Sequence, residues 1–585
     1  MWACRAANNI SACRRCRVGY IVESRANYRR WSLCRLPQQG NRRQPPARVR
    51  CFLTAVTSSS ASSASGSSTV AKKSARSKLR WLLGGSLVLF GAGCSDEGFR
   101  RCVMFWIVVT PPFAHYSYVD KVSHKKGGPK DGAEREAEFA RLHEKYSPIV
   151  QKATMYFRGF YLKAAQLMSV RDDYLPKIYL DWLKELQNEA PMAISSSDAQ
   201  KLVEQELHLV EAGLDSVIYD WQDEPIGSAS IGQVYKARLV KTGEWIAIKV
   251  QVPNAERLFR ADIKCLQLFT YFALPWAYQN MVEIEKAFRA EFDYVAEMRN
   301  MMSVRDTVMA SWSKKVYVPR VIPEVTSRRV LGMELLNGEK FVSAVQRRLT
   351  PVAAREGKTI EEFQEEQSEA LRTGKRQPES VRRLRWKMRF YRWMSWWSWL
   401  RGAYEEPPVD LATSFETLMS VHGEQLLRDG CFNADPHPGN IMLLEDGRTL
   451  GLIDFGQVIR VPLEFRLKLA HLILALSRRS PADVARLEEE IGVRRRHNKE
   501  DVRYRMCSFW LDRDTEDVTQ GMNLFDLLLW GEVEDGVLSQ PEGYYMACRC
   551  SITLRSAALA FGVRMSTADY WRPYAEALLR EHGEL

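Results

Sequence analysis

The first 95 residues of the chain almost lack acidic side chains. They contain seventeen Lys or Arg and one acid, Glu23, whereas the whole chain of 585 residues carries a formal charge of +13. The remainder is near neutral, so the basic charge does not imply a nucleic-acid partner. Scarce acids and a Ser-rich stretch at 58–68 are typical of a transit peptide for a mitochondrion or plastid. A disordered basic tail is the alternative.

Cysteine is scarce in the body of the chain. Seven of the twelve Cys residues lie between Cys4 and Cys102, and the other five are scattered. A disulfide framework is therefore excluded for the body, and scattered thiols suit a reducing compartment. Cys13-Arg-Arg-Cys16 lacks a second pair of ligands, so we interpret it as incidental.

Apolar runs long enough to cross a bilayer are also missing near the N-terminus. Trp81–Cys94 and Cys102–Ala114 are both shorter than the roughly 20 residues that span a membrane. The second run ends in Thr-Pro-Pro, which predicts that its helix stops there. We favour an interfacial or buried helix over a membrane span, and peripheral membrane contact remains open.

The most informative stretch that is present runs from Asn433 to Gly456, N-A-D-P-H-P-G-N-I-M-L-L-E-D-G-R-T-L-G-L-I-D-F-G. Two apolar segments, Ile441–Leu444 and Leu450–Ile453, flank an Asp-Gly pair, which is a strong hairpin signal. The sequence therefore predicts two short strands joined by a tight turn, whose outer ends meet.

Three oxygen-bearing side chains lie at those outer ends: Asp435 and Asn440 before the hairpin and Asp454 after it. Oxygen ligands suit a hard cation such as Mg²⁺. In kinase-type phosphoryl transfer, a catalytic-loop Asp lies five residues before a metal-binding Asn, and Asp-Phe-Gly follows. Both features occur here, so the spacing predicts a nucleotide and Mg²⁺ site.

A small-residue turn and a lysine strand precede this stretch. Residues 226–235 read I-G-S-A-S-I-G-Q-V-Y, and Lys249 lies in the apolar strand Trp245-Ile-Ala-Ile-Lys-Val. Backbone amides of small residues approach phosphate oxygens closely, and a neighbouring Lys neutralises them. This turn is not the G-x-G-x-x-G loop of protein kinases, and an ordinary hairpin is the alternative. The candidate nucleotide residues here are Gly227, Ser228, Ala229, Ser230, Val234 and Lys249.

Further candidates lie between that strand and residue 340. The apolar spacing predicts one helical run over Glu283–Asn300, with Glu291, Asp293, Glu297 and Asn300 as its polar set. A carboxylate from this run would hold Lys249 in place, although surface acids are the alternative. Residues 330–338 predict a strand running into a turn, where a hinge between two lobes would place Glu334 and Leu335 beside the nucleotide.

Helical spacing from Ala133 to about Leu186 contains Tyr161-Leu-Lys-Ala-Ala-Gln166. Lys163 and Gln166 fall on one face of the predicted helix beside apolar residues. The pattern indicates polar groups aimed at a particular place, with a solvated face as the alternative.

Residues 341–410 break the pattern. They are charged and then rich in Trp and Arg, with Arg382, Trp386, Arg389 and Trp393 among them. Interleaved aromatic and basic residues on a helix indicate a membrane surface or a partner, and a helical insertion packed on its own lobe is the equal alternative. After Gly456 no Ala-Pro-Glu follows, so the platform on which protein kinases dock polypeptides is missing.

Together these motifs resemble the UbiB, or aarF-domain, family of atypical kinase-like proteins from about Arg101 to the C-terminus. The resemblance implies an α+β, two-lobed protein-kinase-like fold with an N-terminal helical extension and a mostly helical C-lobe. It also implies ATP and Mg²⁺ as cofactors and a link to isoprenoid quinone or lipid metabolism. The implied parts are a transit peptide and linker (1–95), the extension (96–190), the N-lobe (191–338), an insertion (339–410) and the C-lobe (411–585).

Roles carry over by position. Asp435 resembles the catalytic-loop Asp, Lys249 the phosphate lysine and Glu291 its helix partner, while Asn440 and Asp454 resemble the metal ligands. Lys163 and Gln166 resemble a Lys-x-Gly-Gln motif lying over the place where a protein substrate would bind, and we expect Lys163 to pair with Glu297. Two departures matter: Ala165 replaces the motif's Gly, and Gly227-Ser228 replace two alanines.

Two functions follow from these expectations. The first is an ATP- and Mg²⁺-dependent kinase or ATPase of an organelle, acting on or supporting isoprenoid quinone or lipid metabolism. The second is a nucleotide-binding pseudokinase scaffold at a membrane, without turnover. A Ser/Thr protein kinase comes third. The expected partners are a nucleotide, a lipid or isoprenoid small molecule and a membrane surface, and no nucleic acid.

Overall fold

A computed structural model of the chain describes residues 96–123, 132–162, 165, 176–188, 194–228, 231–274, 278–372, 375, 377–400, 409–522 and 524–585. The predicted transit peptide and the run Trp81–Cys94 lie outside these residues, as do Lys163, Gln166, Ala229 and Ser230. The chain divides into two compact units, residues 1–103 with 113–138 and residues 104–112 with 139–585. The site described below lies within the second unit.

The described residues contain helices throughout, and their short strands lie between Ile218 and Arg564. The helices are α1 Glu97–Ser123, α2 Gly132–Phe157, α3 Lys177–Asn188, α4 Ser196–Glu206, α5 Ala255–Ala273, α6 Tyr278–Ala290, α7 Tyr294–Trp312, α8 Phe341–Arg355, α9 Ile360–Arg372, α10 Val381–Leu400, α11 Leu411–Glu424, α12 Leu463–Ser477, α13 Pro481–Glu490, α14 Glu500–Leu511, α15 Glu516–Thr519, α16 Leu524–Asp535, α17 Glu542–Ala560 and α18 Thr567–Glu581. The strands are β1 Ile218–Tyr219, β2 Gly227–Ser228, β3 Gly232–Leu239, β4 Trp245–Gln251, β5 Val316–Tyr317, β6 Val321–Ile322, β7 Val330–Glu334, β8 Gly338–Lys340, β9 Glu379–Ser380, β10 Cys431–Asn433, β11 Ile441–Leu444, β12 Leu450–Leu452, β13 Val458–Arg460, β14 Arg494–Arg495, β15 Val537–Ser539 and β16 Val563–Arg564.

A six-stranded antiparallel sheet carries the lysine strand. Its order is β1-β3-β4-β7-β6, and β2 pairs with β3. Side chains alternate between the two faces of a strand. Ile246, Ile248 and Val250 of β4 accordingly pack in one core with α4, whereas Ala247 joins a different core. Lys249 has the parity of Ala247, so it projects from the face that bears the site.

The predicted hairpin is the centre of a second, smaller sheet. Its strands β11 and β12 pair as expected, with Ile441 opposite Leu452, and the full order is β5-β12-β11-β8. A further pair, β10 with β13, flanks the hairpin on both sides in sequence. Helices α7, α8, α10 to α14, α17 and α18 share the larger core with these strands, and Trp571 in α18 is fully buried there.

The expected stop at Thr-Pro-Pro is wrong, because α1 continues through Pro111 and Pro112 to Ser123. Each proline removes one main-chain donor, but its fixed φ lies in the helical range, so the chain can continue as a helix. Within the described residues, α1 is the one helix that is long and apolar enough to cross a membrane.

Two predicted helical runs are broken. The run from Ala133 ends at Phe157, where Arg158 and Gly159 adopt positive φ angles of 53° and 45°. The run Glu283–Asn300 is divided between α6 and α7. Asp293 accepts a hydrogen bond from the amide of Ala296 at 3.0 Å, and this N-cap starts α7 as a separate helix.

Candidate active site

Lys249, Glu297 and Asp454 form the charged centre of the site. The Lys249 ammonium lies 2.7 Å from Oε1 and 2.9 Å from Oε2 of Glu297, and 3.6 Å from Oδ2 of Asp454. The side chain of Glu297 is only 3% exposed and that of Lys249 14%, whereas that of Asp454 is 39% exposed. The strand β4, the helix α7 and the end of the hairpin thus meet at one ammonium group.

The electrostatics of this centre keep the lysine charged. Burial by itself would lower the pKa of Lys249, but the nearby carboxylates of Asp454 and Glu297 raise it well above its usual value. The ammonium also lies 5.0 Å from the ring centroid of Tyr294. A permanently charged lysine beside a partly exposed carboxylate is suited to neutralising the oxygens of a phosphate chain.

The expected pairing of Lys249 with Glu291 is wrong, because Glu297 takes that position. Glu291 lies in the break between α6 and α7. Its Oε1 accepts a hydrogen bond from Nε2 of Gln457 at 2.6 Å. Glu297 lies in the first turn of α7, where the Asp293 cap fixes the direction of the helix.

The loop before the hairpin is tied to the segment after it through Asn433. Its side-chain amide donates to the carbonyl oxygen of Asp454 at 2.8 Å, and its Oδ1 accepts from the amide of Asp435 at 3.0 Å. The carbonyl oxygen of Asn440 accepts from the amide of Ile453 at 3.2 Å. The structure therefore brings Asp435, Asn440 and Asp454 together, as the hairpin predicted.

Asp435 is half-buried and paired. Its Oδ2 lies 3.1 Å from Nη2 of Arg549, which belongs to α17. The same guanidinium donates to Oε1 of Gln457, the residue directly after Gly456. A chain of polar contacts therefore runs from Asp435 through Arg549 and Gln457 to Glu291.

Asn440 and Asp454 fit an Mg²⁺ ion that arrives with a nucleotide. Mg²⁺ is usually held by one or two carboxylates together with substrate phosphates and waters. The partly exposed carboxylate of Asp454 and the amide oxygen of Asn440 are hard ligands of that kind. Among the described residues, no group of three or more His, Cys, Asp or Glu side chains is arranged to hold a metal. The donor set thus matches a metal that needs the nucleotide to complete its shell.

The described part of the small-residue turn belongs to the same sheet as Lys249. Gly227 and Ser228 form β2 and pair with Val234 and Gln233 of β3. Val234 in turn lies opposite Lys249. The Ser228 hydroxyl is buried and has no hydrogen-bond partner among the described residues.

Gly232 must be small because of Tyr294. A Cβ at this position would lie 2.6 Å from the Tyr294 hydroxyl and 3.0 Å from the carbonyl oxygen of Val250. Burial raises the pKa of the Tyr294 phenol, so it remains a hydrogen-bond donor. This hydroxyl has no partner among the described residues.

The predicted hinge residues lie at the end of β7. Tyr317 donates to the carboxylate of Glu334 at 3.0 Å, as does the amide of Arg320. Leu335 is partly buried against the larger core. The carboxylate of Glu334 already accepts these hydrogen bonds. A nucleotide base would therefore form hydrogen bonds with main-chain groups of this segment.

Sequence reasoning assigned no role to four residues of the site. Tyr294 and Asn433 lie inside the sequence motifs that contain other candidate residues. Their position in the sequence could therefore have indicated a role in the site. Gln457 directly follows Asp454-Phe455-Gly456, so its position could also have indicated a role in the site. Arg549 lies far along the chain in a helix without a motif, and no local pattern could have found it.

The chain is similar to known atypical kinase-like proteins. The ABC1 atypical kinase-like domain matches residues 185–362 and 403–488. AarF domain-containing kinase 1 of Drosophila melanogaster is 25% identical over 377 residues, which cover 62% of this chain and 60% of the relative. ACTIVITY OF BC1 COMPLEX KINASE 3, a chloroplastic protein of Arabidopsis thaliana, is 27% identical over 333 residues, covering 56% of this chain and 38% of the relative.

Two further facts accompany these matches. A solved structure of a Mycobacterium tuberculosis protein with erythromycin is 20% identical and covers 76% of this chain and 98% of that chain, with a TM-score of 0.42. The unmatched residues 363–402 fall inside the predicted insertion. This chain spans 60% of the length of the fly relative and 38% of that of the plant relative.

Proposed function

Because residues 185–362 and 403–488 match the ABC1 atypical kinase-like domain, we propose that the protein is an ATP- and Mg²⁺-dependent atypical kinase or ATPase. One observation carries the proposal: Lys249 is held between Glu297 and Asp454. Asp435 lies beside the same segment, joined to Asp454 through Asn433. These are the charged parts that phosphoryl transfer needs.

Each residue has a task in this proposal. Lys249 neutralises phosphate oxygens, and Glu297 keeps the ammonium in place. Asp454 and Asn440 would hold Mg²⁺, which supplies positive charge to the transferring phosphoryl group when bound. Asp435 orients or deprotonates the attacking hydroxyl or water. Gly227, Ser228, Ala229 and Ser230 cover the phosphates from above, while Glu334 and Leu335 border the base.

The extension would close the site against polypeptides. We assign this task to Lys163 and Gln166 because of the family resemblance, and one structural observation supports it. Phe160 packs in a buried cluster with Phe292, the neighbour of Glu291, so the segment before Lys163 lies beside the break between α6 and α7. Lys163 itself lies outside the described residues, so its expected pairing with Glu297 stays a prediction.

The acceptor class that we propose is an isoprenoid quinone precursor, a lipid or water. The family resemblance supports this choice, and the absence of Ala-Pro-Glu after Gly456 argues against a polypeptide acceptor. Helix α10 would bring the protein to a membrane where such acceptors are found. The compartment that we propose is the plastid, since the plant relative is named as chloroplastic and the first 95 residues have the composition of a transit peptide.

The full chain, tested for stabilisation by Mg-ATP and for ATP hydrolysis, decides between an enzyme and a scaffold. We expect Mg²⁺-dependent thermal stabilisation and turnover, whereas a scaffold would be stabilised without turnover. Asp454→Asn should lose the Mg²⁺-dependent stabilisation, because a neutral amide replaces the carboxylate. Asp435→Asn should keep binding and lose turnover. The matched control Glu445→Gln changes an exposed carboxylate on the same hairpin and should behave like wild type.

A further inference from the structure

Arg549 occupies a position that the proposed chemistry does not yet use. It extends from α17, whose neighbouring residues Cys548 and Cys550 are buried. Nη2 of Arg549 contacts Asp435 at 3.1 Å, and Nη1 donates to Gln457. The guanidinium therefore has two acceptors from two different active-site segments, and its own helix is fixed in the core.

The planar guanidinium suits this double contact. Its N–H groups have a fixed fork geometry, so binding one acceptor fixes the direction offered to the other. Gln457 is 8% exposed, and its amide nitrogen donates to Glu291 at 2.6 Å. Because the amide nitrogen of Gln457 is directed towards Glu291, its amide oxygen is directed towards Arg549. The contacts thus join the loop of Asp435, the segment after Asp454-Phe455-Gly456 and the break before α7.

We propose that Arg549 is a positioning residue that orients the carboxylate of Asp435 and couples it to the segment after Gly456. This inference rests on the proposed function, in which Asp435 acts on the acceptor. Arg549 is only 23% exposed and Asp435 24%, so solvent competes little for either group. Without the guanidinium, Asp435 keeps its main-chain hydrogen bonds with Asn433 and His437, and its carboxylate loses the ion pair that orients it.

The test compares Arg549→Gln with Arg549→Lys in the full chain. We expect Arg549→Gln to keep the Mg-ATP dissociation constant within about twofold and to lower kcat at least about tenfold per nucleotide-binding molecule. Arg549→Lys keeps a cation near Asp435 but loses the fork, so it should recover part of kcat. The control Arg580→Gln removes a surface contact with Glu576 in α18 and should match wild type.

Amide hydrogen exchange supplies a readout that needs no turnover. In Arg549→Gln, residues 433–441 should exchange faster than in wild type while α12 and α18 keep their protection. Unchanged exchange at 433–441 would overturn the inference, even if the wild-type chain showed no hydrolysis and the proposed function itself failed. Equal losses of nucleotide affinity and kcat would also overturn it, because they would indicate a general loss of structure. If Arg549→Gln does not fold, Gln457→Leu removes the second acceptor and is judged by the same exchange and kcat criteria.

Discussion

At the scale of residues, the site depends on which carboxylate holds Lys249. Glu297 is buried and contacts the ammonium with both oxygens, whereas Asp454 contacts it at 3.6 Å and is partly exposed. This division suits two tasks. Glu297 serves as a permanent anchor, and Asp454 remains accessible to a metal ion.

Glu297→Gln should weaken nucleotide use more than Glu291→Gln. The amide in Glu297→Gln removes the charge that balances Lys249, so the ammonium is drawn towards Asp454 and away from the phosphates. We expect kcat/KM for ATP hydrolysis to fall at least about tenfold in Glu297→Gln. Glu291→Gln keeps an oxygen that can accept from Gln457, so its effect should be smaller. The reverse order would return the anchoring role to Glu291.

His422 provides a prediction about stability and pH. The ring is fully buried in α11, and Nδ1 lies 2.8 Å from the carbonyl oxygen of Leu418. Burial lowers the pKa of His422 to about 4. In the unfolded chain the pKa is near 6.5, so the unfolded state binds a proton first as the pH falls. Stability is therefore full above about pH 6.5 and decreases between about pH 6.5 and 4.

His422→Leu should reduce this loss of stability. Between pH 7 and pH 4.5, the decrease in the free energy of unfolding should be about 2 kcal/mol smaller than in wild type. Urea unfolding at the two pH values measures the difference. An identical decrease in both proteins would show that another group is responsible.

At the scale of elements, α10 has two different faces. Val381 and Met388 are buried, and Arg385 and Lys387 form ion pairs with Glu416 and Glu379. The opposite side exposes aromatic rings: Trp386 and Trp393 are 68% and 55% exposed, and Phe390 packs between them. The helix contains no acidic residue. The buried face fits the alternative of a packed insertion, and membrane contact by the exposed face stays a prediction.

We predict that the double variant Trp386→Ala/Trp393→Ala binds anionic liposomes less well than wild type. Aromatic rings and basic side chains on one exposed face favour the surface of an anionic bilayer, where each basic residue contributes about 1 kcal/mol. Cosedimentation with phosphatidylserine vesicles measures the effect. The control Tyr271→Ala/Phe272→Ala removes exposed rings from residues 265–282, which contain no charge, and should change binding little. Equal losses in both double variants would contradict a role specific to α10.

At the scale of the whole molecule, the chain combines a basic N-terminal segment with a kinase-like domain. The segment accounts for the positive charge of the chain, while the site is built from residues 227–549. The predicted transit peptide and the proposed chemistry therefore belong to separate parts of the sequence, and they can be tested separately.

We expect the first 100 residues to direct a fluorescent protein to plastids in plant cells. A segment with one acid and seventeen basic residues has the charge pattern that import machineries accept. Confocal imaging with a chlorophyll signal and a mitochondrial dye distinguishes the two organelles. Fluorescence in mitochondria would exclude the plastid assignment, and diffuse fluorescence would leave only a basic tail.

The sequence by itself determined the local parts of the site. Strand β11 and the start of β12 agree with the prediction because Asp446-Gly447 and the apolar segments on either side specify a hairpin within a few residues. The hairpin predicted that Asp435, Asn440 and Asp454 lie close together, and the side chain of Asn433 ties Asp435 to Asp454. Lys249 could be assigned to the phosphates because a charged side chain in an apolar strand is costly unless it has a partner.

Only the tertiary structure decided how these parts are held. Glu297 replaced Glu291 because a single N-cap at Asp293 divides the predicted helix, and helical periodicity does not report such a break. Arg549 reaches Asp435 across more than a hundred residues of sequence. Contacts of that kind form when the helices of the larger core pack, and burial of apolar surface decides that packing without leaving a local pattern.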